Sequence, residues 1–172
     1  YWDALDAQRT PRATWLYDQL GAMHFSREGL SRLGGIASFS RTDSEQLVQA
    51  GLVSRHVHLA YDPTFAPTGF REQGVVFVGA RYPAREHLLL DLQELGVPVR
   101  AYGSSWSHHP LDRMRTLDLR RPALPSGREL DRRTAHRVME AADATVNIHG
   151  SQDGYTLRTF EAGGVGALHL ID

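Results

Sequence analysis

The run Val75-Val76-Phe77-Val78-Gly79-Ala80-Arg81-Tyr82-Pro83 decides the fold. Four consecutive apolar residues, three of them β-branched, are too few for a helix and suit a strand buried on both faces. Gly79 ends the run, and Pro83 opens a helix in which Leu88, Leu89, Leu92 and Leu95 recur at helical spacing until Gly96 stops it. Val97–Tyr102 reads as the next strand, followed by a loop from Gly103 to Pro110. Further on, Ser126-x-x-Glu129 reads as a capping box opening a helix with Leu130, Thr134, Val138 and Ala142 on one face. Thr145–Ile148 follows as a strand, Thr156–Gly163 as a short helix and Ala167–Ile171 as a last strand. Strands alternating with helices predict an α/β fold: a parallel sheet, right-handed crossovers and helices on both faces.

Upstream the pattern is looser. Arg12–Tyr17 and Ile36–Phe39 read as strands, Thr42-x-x-Glu45 as a capping box before a short helix ended by Gly51, and Val57–Ala60 as another strand. Asp62 through Gln73 carries two prolines and a glycine without periodicity, which marks a linker. The expected organisation is therefore the end of one α/β domain over residues 1–62, a linker over 63–74 and a second α/β domain over 75–172. The chain starts at Tyr1 and stops after a strand-like run, which leads to the expectation of a fragment truncated at both ends.

Composition narrows the function classes. The 172 residues carry 19 basic and 20 acidic side chains, a net charge of −1, which argues against a nucleic-acid partner. Every basic residue is arginine, so a lysine Schiff base and a P-loop lysine are excluded. Cysteine is absent, which removes disulfides, thiolate nucleophiles and cysteine zinc sites. No apolar stretch reaches the roughly 18 residues of a membrane span and no leader is evident, so a cytoplasmic location is the default expectation.

Parallel sheets bind ligands at the carboxyl ends of their strands. Two loops are privileged on that ground: Gly79-Ala80-Arg81-Tyr82, and His149-Gly150-Ser151-Gln152-Asp153-Gly154-Tyr155. In the second, Gly150 and Gly154 let the backbone approach a ligand. The helix start at Thr156-Leu157-Arg158 would face an anion, and Arg158 would add a bidentate phosphate contact. Glu161 lies on the same helical face and suits the two hydroxyls of a ribose. Together these groups would hold a nucleoside diphosphate. The alternative reading is a simple glycine turn beside a surface Arg158–Glu161 ion pair. His149 either donates a proton or a hydrogen bond to the ligand or caps the strand end.

Other constellations weigh less. His56 and His58 share one side of a strand but lack a third ligand, so they read as surface histidines. His108-His109 reads as an ordinary polar loop. The arginines 113, 115, 120, 121, 132 and 133, interleaved with Asp112, Asp118 and Asp131, read as a solvated face.

The run Asn147-Ile148-His149-Gly150, then Asp153-Gly154-Tyr155-Thr156-Leu157-Arg158-Thr159-Phe160-Glu161-Ala162, then Gly166-Ala167, resembles a glycosyltransferase of the two-Rossmann GT-B type, closest to the CgeB-like, spore-maturation-protein group. Val75–Arg85 and Val97–Gly103 resemble the first two strands of that class's second domain. Asp153 and Glu161 are separated by seven residues, similar to the Glu-x7-Glu motif of retaining GT-B enzymes, with Asp in place of the first Glu. The resemblance implies a Rossmann-like donor-binding domain over 75–172 that lacks its closing helices. It implies transfer of a sugar from a nucleotide diphosphate-sugar to an unknown acceptor, without a bound metal or other cofactor. Asp153 and His149 would contact the sugar, as the catalytic pair. Gly79, Arg81, Gly150, Gly154, Tyr155, Arg158, Thr159 and Glu161 would bind the nucleotide and its diphosphate. A catalytic base in the acceptor domain would lie outside the chain, so the fragment alone is expected to be inactive.

Two rival readings use the same scaffold. One is a nucleotide-sugar epimerase, which needs no acceptor. The other is a non-catalytic module working through partner contacts, for which the sheet edge after Ile171 would support a homodimer.

Overall fold

The structure, a computed structural model, describes residues 2–7, 10–62, 64, 69, 74–149 and 155–171. The chain divides into two compact units, the first running to Leu59 and the second beginning at Ala60.

In the first unit, helix α1 (Trp2–Asp6) precedes strand β1 (Ala13–Leu16), a 3-10 turn at Leu20–Ala22 and helix α2 (Arg27–Ser31). Strand β2 (Gly35–Ser38), helix α3 (Arg41–Gln49) and strand β3 (Ser54–His56) complete it. The strands form a parallel sheet in the order β1-β2-β3. Leu16, Ile36 and Leu47 make its core, with Leu20, Met23, Leu30, Leu33 and Leu52 packed against them. Two local expectations shift. The cap of α3 is Ser40, whose Oγ accepts from the Asp43 N–H, so Thr42 and Glu45 lie inside the helix. Asp43 is buried because its Oδ2 accepts from the Leu20 N–H at 2.8 Å. The strand expected at Val57–Ala60 lies at Ser54–His56 instead, where pairing with β2 through Ile36↔Ser54 sets its position. A strand's place is fixed by its partner as much as by its own apolar content.

The second unit alternates strictly. Its elements are β4 (Val75–Val78), α4 (Pro83–Glu94), β5 (Val99–Tyr102), α5 (Pro110–Thr116), β6 (Ser126–Gly127), α6 (Arg132–Ala141), β7 (Ala144–Asn147), α7 (Leu157–Gly164) and β8 (His169–Ile171). All strand pairs are parallel, in the order β6-β5-β4-β7-β8. The order steps outward from β4 in both directions, so a switch point lies at the carboxyl end of β4, between β5 and β7. Successive residues of β4 serve opposite faces. Phe77 packs with Leu89, Val99, Ala101, Trp106 and Leu124, while Val76 packs with Met139, Ala142, Ala162 and Val165. Burial on both sides is why the run reads as uninterruptedly apolar.

The segment expected to be a linker lies mostly outside the described residues. Those of it that are described attach to the second unit: the Gly69 N–H donates to Glu140 and the Gly74 N–H to Asp143. The expected capping box at Ser126–Glu129 is replaced by a different arrangement. Ser126 and Gly127 pair with Ala101 and Tyr102 as an edge strand, and Asp131 caps α6 by accepting from the Thr134 N–H. A backbone ladder outcompetes a local cap here because Gly127 lets the chain pass the Tyr102 ring, 2.6 Å from where a Cβ would stand. The loop expected over 103–110 runs to His109, and α5, which the sequence pattern did not announce, follows from Pro110; His109 caps it through Nδ1, accepting from the Leu111 N–H.

Candidate functional site

A cleft of about 200 Å3 opens at the carboxyl ends of β4 and β5. Gly79 and Ala80 form one wall, Gly103 to Ser105 another, and Glu129, Leu130 and Arg158 close it. Its floor is held by backbone. The Gly79 N–H donates to the Tyr102 carbonyl, and Trp106 Nε1 donates to the Gly79 carbonyl at 2.9 Å. Trp106 is fully buried, edge-on to Phe77. Gly103 has φ +151, and a Cβ there would stand 2.6 Å from the Gly79 carbonyl oxygen, so the two turns meet only because residue 103 has no side chain.

Arg158 enters the cleft from the first turn of α7. Its Nη1 donates to Glu161 Oε2 at 2.6 Å. Glu161 is only 3% exposed, and its Oε1 accepts from Arg132 Nε at 3.1 Å and faces His136 Nε2 at 3.3 Å. The Arg158–Glu161 pair is therefore not a surface ion pair: its carboxylate is buried and braced by two further groups from α6. Glu129, rather than Glu161, is the carboxylate in the cleft wall.

The start of α7 carries a second polar cluster. Thr156 is the N-cap but makes no side-chain cap, because its Oγ1 accepts from Asn147 Nδ2 at 2.7 Å. The same amide reaches Thr159 Oγ1 at 3.2 Å and lies 3.4 Å from His149 Nε2. Behind it, burial pushes the His169 imidazole below its ordinary value, and the neighbouring His149 adds to the shift.

Arg81 lies differently from Arg158. Its backbone N–H donates to Ser105 Oγ at 2.8 Å, but its guanidinium is taken by Glu86 and Asp118. It lines an adjacent cavity of about 350 Å3 with Tyr82, Glu86, His87, Asp118 and Arg120. Gly79, Arg158, Thr159, Glu161 and His149 thus gather at the carboxyl edge of the sheet, while the Arg81 side chain faces the next cavity. Tyr155 is exposed. Gly150, Asp153 and Gly154 lie outside the described residues.

Sequence reasoning missed Arg85. From the first turn of α4 its Nη2 and Nε donate to the Ile148 carbonyl at 2.8 and 3.2 Å, and its Nη1 to the Ala80 carbonyl at 3.1 Å. It joins the two loops at the switch point. Its position two residues after a helix-opening proline was the available signal. Asn147 and Glu129 were also missed; the first looked like part of an apolar strand, the second like a cap. His56 and His58 stack edge to face, His56 Nε2 lying 3.1 Å from the Phe39 carbonyl. Among the described residues no group of three or more His, Asp or Glu could hold a metal ion.

Comparison with known proteins agrees with the fold. Among solved structures, the Anabaena protein HepE in complex with UDP-glucose superposes with a TM-score of 0.61 at 16% identity, covering 99% of this chain and 57% of that one. The DNA-modifying enzyme β-glucosyltransferase, solved in the presence and absence of its substrate uridine diphosphoglucose, gives 0.53 at 14% identity, covering 95% of this chain and 55% of that one. This chain thus spans a little over half the length of those proteins, and it shares with them the parallel, Rossmann-like α/β fold of GT-B glycosyltransferases. No curated protein matches it. The model of one family, described as glycosyl transferase-like, matches residues 81–172, more than half of the sequence and nearly all of the second unit's alternating elements; the chain belongs to that glycosyl transferase-like family.

Proposed function

We propose that the second unit binds a nucleotide diphosphate-sugar and serves as the donor half of a GT-B glycosyltransferase of the CgeB-like group. One observation carries the reading: an arginine, Arg158, stands in the wall of a cleft at the switch-point edge of the sheet, on a helix whose N-cap side chain makes no cap hydrogen bond and accepts from Asn147 instead. N–H groups at a helix start that no side chain caps, together with a guanidinium, favour a diphosphate. The cleft is smaller than the roughly 300–1,000 Å3 of a complete ligand pocket, so it suits the nucleoside, with Glu129 at the ribose hydroxyls. The diphosphate would then lie over Arg158, and the sugar toward His149 and Asp153.

During transfer, negative charge develops on the departing diphosphate, and Arg158 with the α7 N–H groups would stabilise it. Glu161, braced by Arg132 and His136, would keep Arg158 oriented. Asp153 and His149 would contact the sugar. Arg81 would join the diphosphate only by exchanging its partners Glu86 and Asp118. No metal is required by this arrangement of charges.

Calorimetric titration of the chain with UDP, GDP and TDP tests the reading. Binding of one nucleotide, lost in Arg158→Ala, is the expected result. A folded chain that binds none of them would turn the proposal toward a non-catalytic module. Release of a free sugar epimer from a bound donor would turn it toward an epimerase.

A further inference from the structure

We propose that the segment Leu111–Arg120 of the second unit rests on an anionic lipid surface. Leu111, Met114, Leu117 and Leu119 are 61, 71, 91 and 77% exposed. Leu111 and Met114 are three apart on α5 and share a face. Leu117 follows as the C-cap in the left-handed region, at φ +51. That conformation is usual for glycine and a genuine outlier for a bulky residue. Here it holds an apolar side chain almost wholly in water, where the fold itself gains nothing from it.

The charges of the segment are sorted. Both carboxylates are paired within the fold: Asp112 is buried on Arg128, and Asp118, its side chain 37% exposed, pairs with Arg81 and Arg121. Arg115 and Arg120 face outward, their side chains 73 and 86% exposed, in long contacts to Glu129 and Glu86 at 3.5 and 3.9 Å. Such contacts are weak and easily exchanged. The outward surface therefore combines four large apolar side chains with two arginines, the combination that seats a helix at a lipid headgroup boundary. A protein anchor would instead meet an apolar pocket, but the adjoining cavity is lined mainly by charged groups: Arg81, Glu86, Asp118 and Arg120. No helix among the described residues is long and apolar enough to cross a membrane, so the attachment is at the surface.

Co-sedimentation of the chain with phosphatidylcholine vesicles, with and without phosphatidylglycerol, tests this. The expected result is binding to the phosphatidylglycerol vesicles that weakens with added salt. Arg115→Ala or Arg120→Ala should each weaken it about fivefold. Met114→Ser with Leu117→Ser should weaken it about tenfold or more while leaving the unfolding transition in place. The proposal is overturned by a chain that stays in the supernatant with both vesicle types, or by binding that ignores both sets of substitutions. It is also overturned if the paired serine substitutions dissociate an oligomer in the absence of vesicles, which would assign the patch to a second copy of the chain.

Discussion

Glu161 and Arg158 stand one helical turn apart on α7, and the carboxylate that holds the guanidinium is itself buried under Arg132 and His136. The acidic residue thereby acts on the cleft through the arginine. Arg158→Ala and Glu161→Gln should each weaken nucleotide binding about tenfold, and the double variant should lose little more than either alone, since the two share one interaction. A calorimetric double-mutant cycle checks this. Fully additive losses would mean that Glu161 touches the ligand itself.

Two glycines should respond oppositely to alanine. Gly103→Ala places a Cβ 2.6 Å from the Gly79 carbonyl and should cost about 2 kcal/mol while weakening nucleotide binding. Gly163→Ala lies on α7 with nothing within 4 Å and should add about 0.5–1 kcal/mol. Denaturant titration of both variants decides the sign.

Trp106→Phe keeps an aromatic ring in the core but removes the donor to the Gly79 carbonyl. The expected loss is about 2 kcal/mol, from a small cavity and an unpaired carbonyl. Thermal unfolding measures it, and an unchanged transition would show that the bond contributes nothing.

Acid should release α5 from its surroundings. The Arg128 guanidinium, followed by the Ser107 hydroxyl, holds the Asp112 carboxyl down to about 2. Its folded value lies below its unfolded one, so the stabilisation is present above about pH 4 and lost as pH falls from there toward 2. Asp112→Asn should flatten the stability profile across that window, as followed by circular dichroism.

His169 has the same sign in a different range. Burial lowers its value, so between the ordinary value of 6.5 and its lower folded value the unfolded chain binds the extra proton. Stability should fall as pH drops below about 6.5. His169→Gln should remove that slope in chemical denaturation at a series of pH values.

The second unit was legible because its core strands announce themselves. Val75–Val78 is buried on both faces and leaves no polar position to confuse the period. The start of α7 was legible for the opposite reason, since a buried strand running into glycines and an arginine points to a helix start. What escaped was decided by distant partners. Ser126 and Gly127 look like the opening of a helix until Ala101 and Tyr102 are beside them. Glu161 looks exposed until α6 brings Arg132 and His136 over it. Nothing near Arg81 in sequence foretells its pairing with Asp118, which arrives after α5.

Arg85 spans the two loops that edge the site, bonding the Ala80 carbonyl on one side and the Ile148 carbonyl on the other. A single planar group thus sets the spacing between residues more than sixty positions apart. In the proposed reading, the fold's own hydrogen bonds would set the width of the gap that a donor enters. Substituting lysine would retain the charge and lose the gauge, because one ammonium cannot keep three fixed directions at once.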